Sequence, residues 1–83
     1  TIRVTWDTVS NATHYQVYRD DDSSGSTRIP ISEWQSGTNY NDNSVILSER
    51  FCYWVKAAAS DSGTNASNYS NYDCAIVWNY LLE

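Results

Sequence analysis

Apolar and polar positions alternate along much of this chain, most clearly in RFCYWVKAAAS. Between Arg50 and Ser60, Phe51, Tyr53, Val55 and Ala57 fall on one face, and Cys52, Trp54 and Lys56 on the other. A period of two is the mark of a β-strand. A second run, Tyr69 to Trp78, follows the turn-rich stretch DSGTNASN. Folding the two runs together about Gly63 sets Cys52 opposite Cys74. Opposed residues of paired strands lie about 4.5–5.5 Å apart, and the closer pairs are within disulfide reach. That register uses both cysteines and predicts a Cys52–Cys74 disulfide. Two buried free thiols are the alternative.

The remaining segments follow the same logic. Thr1 to Trp6 alternates Ile2, Val4 and Trp6 with Thr1, Arg3 and Thr5, a strand with its apolar face inward. Asp7 to Ala12 is a turn region. Thr13 to Arg19 is the next strand, with Tyr15 and Val17 inward and Gln16 and Tyr18 outward. Asp20 to Ser26, DDDSSGS, is a polar loop with no part in the core. Pro30 lacks a ladder donor, so Thr27 to Trp34 reads as an edge strand. Gln35 to Thr38 turns at Gly37. Asn39 to Ser44 is a short strand, and Val45 to Glu49 leads into the Arg50 run. No stretch has helical period with caps. Asn79 to Glu83, NYLLE, is a tail whose Leu81 and Leu82 have no evident place inside.

Size and composition narrow the class. The chain has 83 residues, enough for one domain that gains from a covalent staple. A disulfide closing a loop of about 20 residues contributes roughly 3 kcal/mol in the chain-entropy model, and it implies an oxidising compartment. Seven Tyr, four Trp and many Thr, Ser and Asn fit an extracellular all-β domain. A formal charge of −5 argues against nucleic acid as a partner. No apolar run is long enough to span a membrane. The absence of an initiator Met and a signal peptide suggests a mature or excised segment.

The succession VTW, ATHYQVYR, TNYND, FCYWVKA and NYSN resembles a fibronectin type III domain of the secreted microbial kind, over residues 1–78. Trp6 matches the family's strand B tryptophan. Tyr15 and Val17 match its strand C pattern, and Phe51, Val55 and Ala57 its strand F pattern. The resemblance implies a two-sheet immunoglobulin-like sandwich, with strands C, C′, F and G in one sheet and B and E in the other. The expected core is Ile2, Val4, Trp6, Tyr15, Val17, Tyr53, Val55, Ala57, Ala75 and Val77. Phe51 stands where the family carries its tyrosine-corner Tyr, so that hydrogen bond is not expected. Asp73 falls inward beside Tyr53, which calls for a rim position or a bulge. No segment before Thr1 matches strand A, which is therefore expected to be missing or donated by a neighbour. Residues 79–83 are then free for contact between units.

Candidate chemistry is sparse. His14 is expected on the surface or packed on a loop, with no metal set around it. Ser, His and Asp occur without the strained turn and oriented base of a nucleophilic triad, so the chain reads as a non-enzyme without cofactor. Asp20, Asp21 and Asp22 lack the spacing of a calcium loop and read as a solvated acidic loop. Three sequons, at Asn11, Asn65 and Asn68, fall in predicted loops or at a strand edge and are glycosylation candidates. With Phe51 inward, Trp54 points outward with Tyr72 opposite it. Tyr18, Ile76 and Trp78 share that face. Such an aromatic outer face reads as a contact surface, unless long side chains or a glycan cover it. Tyr80, Leu81 and Leu82 extend the candidate interface. Two functions follow. One is an extracellular structural or adhesive module, arrayed head-to-tail with other copies or adjacent repeats. The other is a carbohydrate-binding accessory domain of a secreted enzyme, with Trp54 and Tyr72 as its stacking platform.

Overall fold

The computed structural model describes residues 1–44 and 50–76, and the statements below concern these. Val77, Trp78 and the Asn79–Glu83 tail, with Tyr80, Leu81 and Leu82, lie outside them. So does the predicted Val45–Glu49 lead-in.

The strands are β1 (Ile2–Thr5), β2 (His14–Asp20), β3 (Ile29–Pro30), β4 (Asn39–Asp42), β5 (Arg50–Ala58) and β6 (Asp73–Ile76). β1 pairs with β4 in one antiparallel sheet, and β3–β2–β5–β6 form the other. This is the division of strands that the resemblance implies. Pro30 sits on the edge strand opposite Tyr18, where its missing N–H breaks no central ladder. β5 lies between β2 and β6, and Cys52 pairs with Cys74 in the register centred on Gly63.

The core lies between the sheets. Ile2 from one sheet packs with Val17, Phe51 and Tyr53 from the other. Val4, Trp6, Ile31, Tyr40, Val55 and Ala75 close around them. Tyr15 and Ala57 are also buried. Ile31 and Tyr40, like Phe51, are additions to the expected core. They are tied together, since the Tyr40 hydroxyl donates to the Ile31 carbonyl at 2.7 Å. Asp73 takes the rim option: it pairs with Tyr53 in unbroken register and is exposed.

Beyond β5 the chain turns through Ser60–Gly63, where Gly63 has φ of +81°. A Cβ there would lie 2.9 Å from the Trp34 ring, so the turn needs glycine twice over. The chain then returns along β5 in steps of three. Ser67 and Val55's partner Ser70 each use both backbone and side chain. The amides of Ser67 and Ser70 donate to the carbonyls of Ala57 and Val55 at 2.7 and 2.8 Å. In return, the amides of Ala57 and Val55 donate to the Ser67 and Ser70 hydroxyls, both at 2.9 Å. The hydroxyls take the place of strand carbonyls, so this edge of β5 is satisfied before β6 begins.

Candidate functional site

The outer face of the four-stranded sheet differs from the expected open platform. Trp54 does point away from the inter-sheet core, but it is only 4% exposed. The Asp20–Arg28 loop covers it. Asp20, read as part of a solvated loop, is itself buried. Its carboxylate accepts from the Thr27 amide at 2.9 Å, the Thr27 hydroxyl at 2.8 Å and the Asp22 amide at 3.2 Å. Burial alone would raise its pKa, but these hydrogen bonds outweigh burial and hold the carboxyl below its ordinary value. The loop so gathered presents Gly25, at φ +70°, where a Cβ would lie 3.0 Å from the Trp54 ring.

Cations and aromatic rings alternate across this face. Arg28 lies 3.5 Å from the Tyr69 ring centre and 4.9 Å from that of Trp54. Lys56 lies 4.4 Å from Tyr69 and 5.7 Å from Tyr18. Tyr18 and Tyr69 meet edge to face at 4.9 Å, and Tyr72 leans on Trp54 at 5.9 Å. Burial, and then the Tyr69 phenol, raise the Tyr18 pKa. Tyr72, at 52% exposed, is the open end of the stack. Tyr69 and Arg28 are the members that alternation does not reveal, because they come from loops. Ile76 completes β6 opposite Arg50.

Cys52 and Cys74 are joined by a disulfide, with Cys52 fully buried. On the inner side lies a buried polar cluster that the sequence pattern also hides. Asp42, 1% exposed, receives one Arg19 guanidinium nitrogen on both oxygens, at 2.8 and 3.1 Å. The Tyr53 hydroxyl donates to it at 2.8 Å, as does that of Ser44. Asp42 belongs to the β1–β4 sheet, whereas Arg19 and Tyr53 belong to the other. The cluster therefore links the sheets. Phe51 cannot form a tyrosine corner, and Tyr53, two residues on, supplies this cross-sheet bond instead. Burial raises the Asp42 pKa, but the bonds from Arg19, Tyr53 and Ser44 more than reverse that and leave it lowered. Burial first, and then the bond to Asp42 and its charge, push the Tyr53 phenol far above its ordinary range.

Asn11, Asn65 and Asn68 are all exposed. Asn11 and Asn65 have φ of +69° and +54°, the left-handed region that asparagine tolerates best after glycine. His14 is partly exposed, and its Nδ1 is 2.9 Å from the Thr13 hydroxyl. Among the described residues, no group of three or more His, Cys, Asp or Glu is placed to hold a metal ion.

One side of the sandwich is open among the described residues. β1 pairs only with β4. The Trp6 amide donates toward β4, to Thr38 at 3.1 Å. Backbone groups alternate sides along a strand, so those of Arg3 and Thr5 face the opposite, unpaired edge. Two hollows lie along this side. The smaller, about 130 Å³, is lined by Ile2, Val4, Tyr53 and Ala75 and also by the polar Arg3, Thr5 and Asp73. The larger, about 330 Å³, is mostly apolar and is lined by Trp6, Val9, Tyr15 and Val55 among others. The facing strand differs. The Cys74 amide on β6 is already taken by the Asp73 carboxylate at 2.9 Å.

Two antiparallel sheets with this strand order define an all-β sandwich of the fibronectin type III-like class. A solved structure agrees. The chain superposes on a Fn3-like protein from Clostridium thermocellum with a TM-score of 0.78 and 25% sequence identity, covering 98% of this chain and 79% of that one. Neither a protein-family model nor a curated protein sequence matches the chain.

Proposed function

We propose that the chain is a non-catalytic extracellular structural or adhesive module that joins its neighbours head-to-tail. The observation that carries this reading is the free edge of β1 beside two hollows, the larger of them mostly apolar. Arg3 and Thr5 offer backbone donors and acceptors there with no partner among the described residues. An added strand satisfies such groups and sets alternate side chains into the hollows. The Asn79–Glu83 segment of another copy, or the matching segment of an adjacent repeat, suits this role. Tyr80 and Leu82 are two positions apart, so an extended segment turns both to one side. Such a contact joins two different surfaces and need not close, so it builds a fibre or a linear array. The disulfide fits an oxidising, extracellular setting. The carbohydrate-binding reading loses its proposed platform, because the chain itself covers Trp54.

Deleting Asn79–Glu83 tests the proposal. Light scattering coupled to size exclusion should show the full chain associating with rising concentration. The truncated chain should stay monomeric, soluble and disulfide-linked. Equal association of both chains would remove the segment from the role.

A further inference from the structure

We infer that folding itself decides which sequons can carry sugar: Asn11 is the acceptor, and Asn65 and Asn68 are withdrawn when the β5 hairpin closes. The basis is the dual use of Ser67 and Ser70. Each is the hydroxyl residue of a sequon, Asn65-Ala-Ser67 and Asn68-Tyr-Ser70. Each hydroxyl also commits its proton and one acceptor site to the fold, although both serines are exposed. Ser67 Oγ accepts from the Ala57 amide at 2.9 Å and donates to the Asn68 carbonyl at 2.8 Å. Ser70 Oγ accepts from the Val55 amide and donates to the Asn71 carbonyl, both at 2.9 Å. An oligosaccharyl transferase must grip that hydroxyl and an unpaired backbone around it. In the folded chain the serine hydroxyl and the serine amide of each sequon are already bonded to β5. Both sequons also lie inside the loop that the Cys52–Cys74 disulfide closes.

The Asn11 sequon is built differently. Thr13 is exposed, as Ser67 and Ser70 are, but among the described residues its hydroxyl meets only the neighbouring His14 ring and holds no distant backbone group. The backbone partner of Thr13 is the Ala58 carbonyl, far downstream. Asn11 therefore emerges from synthesis long before its surroundings can form. The partners of Ser67 and Ser70 lie 10 and 15 residues upstream and are already present when the serines appear. A hairpin closes in about 1–10 μs, whereas synthesis adds roughly 5–20 residues per second. Closure therefore precedes any slower bimolecular event, and the disulfide then fixes it.

The donor is a lipid pyrophosphate-linked oligosaccharide. In the transfer, the asparagine carboxamide nitrogen forms a bond to the anomeric carbon. The bond from that carbon to the pyrophosphate oxygen breaks, and the lipid pyrophosphate leaves with the electron pair. The amide gives up one proton to a base on the transferase.

The test is site-by-site glycopeptide mass spectrometry of the full chain made in a eukaryotic secretory host, with cell lysate and medium analysed together. Three arms are compared: wild type, wild type synthesised with dithiothreitol present, and the Cys52→Ala/Cys74→Ala variant. Wild type should carry sugar at Asn11 and little at Asn65 and Asn68. Occupancy at the latter two should rise severalfold in the other arms, with Asn11 unchanged. Equal occupancy of all three sites in wild type would overturn the inference, as would indifference of Asn65 and Asn68 to loss of the disulfide. Three empty sites in every arm would overturn it too.

Discussion

The two faces of β5 are closed to nearly the same degree by different means. Tyr53 on the inner face is 5% exposed, and Trp54 on the outer face is 4% exposed. The inner face meets a second sheet, and its one polar demand is met by the Asp42 cluster. The outer face meets no sheet among the described residues. A disulfide, a glycine-tight loop and a stack of cations and tyrosines close it instead. Alternation along a strand thus tells which side chains share a face, but not which face is open. Burial depends on what else the chain can lay across that face.

The sharpest way to break this comparison is Trp54→Ala. If the outer face is a second core, the change should cost the folded state about 4 kcal/mol, as for other buried large-to-small replacements. Urea denaturation of the monomer at low concentration measures it. An unchanged midpoint with weakened self-association would instead make Trp54 an interface residue.

The parts of this contrast that were legible in the sequence are those set by local pattern. The paired runs about Gly63, the Cys52–Cys74 register and the edge position of Pro30 each follow from period, turn chemistry or a missing donor. The covering of Trp54 does not. It requires Asp20 to be buried and Gly25 to adopt a positive φ, whereas DDDSSGS has the composition of a solvated loop. Asp42 was hidden for a similar reason. A lone aspartate at the end of a short strand gives no sign that Arg19 and Tyr53, distant in sequence, converge on it. Ser67 and Ser70 were visible only as sequon residues, because a hydroxyl standing in for a strand carbonyl leaves no periodic mark.

The inner face has a different weak point, its charge. Asp42→Asn leaves Arg19 without its carboxylate in a largely buried setting, and should cost about 3 kcal/mol. The same cluster predicts the pH profile. A carboxyl whose pKa is lowered on folding stabilises the fold above its unfolded value of about 3.9. That contribution is lost as pH falls through the folded value. Folded Tyr53 keeps its proton above the pH of about 10 at which the unfolded phenol ionises, so stability should also fall on the alkaline side. Urea midpoints across pH should therefore decline at both ends. Asp42→Asn should make the acid limb shallower, leaving the part set by Asp20, and Tyr53→Phe should do the same to the alkaline limb, leaving the part set by Tyr18. Unaltered limbs in both variants would mean that the cluster does not govern the response.

The smallest expected effect isolates how the outer face is held. Arg28 stacks on Tyr69 and Trp54, and its Nε is buried with no hydrogen-bond partner among the described residues. Two terms therefore oppose each other. The stacking of a guanidinium on aromatic rings favours the fold by about 0.5–2 kcal/mol. The orphaned Nε detracts from it, since an unpaired buried donor costs on the order of 1–3 kcal/mol. Arg28→Ala removes both terms and also uncovers part of the Trp54 ring. The net loss should be only about 1 kcal/mol, well below that of Trp54→Ala. Exposure should respond more than stability does. In a background that keeps Trp54 and replaces the other tryptophans by phenylalanine, Arg28→Ala should increase acrylamide quenching and shift the emission to the red. Arg28→Met should restore much of the shielding without the charge, because its unbranched chain can lie over the same ring. If Arg28→Met quenches as readily as Arg28→Ala, the charge on the rings, and not apolar cover, keeps water from the outer face.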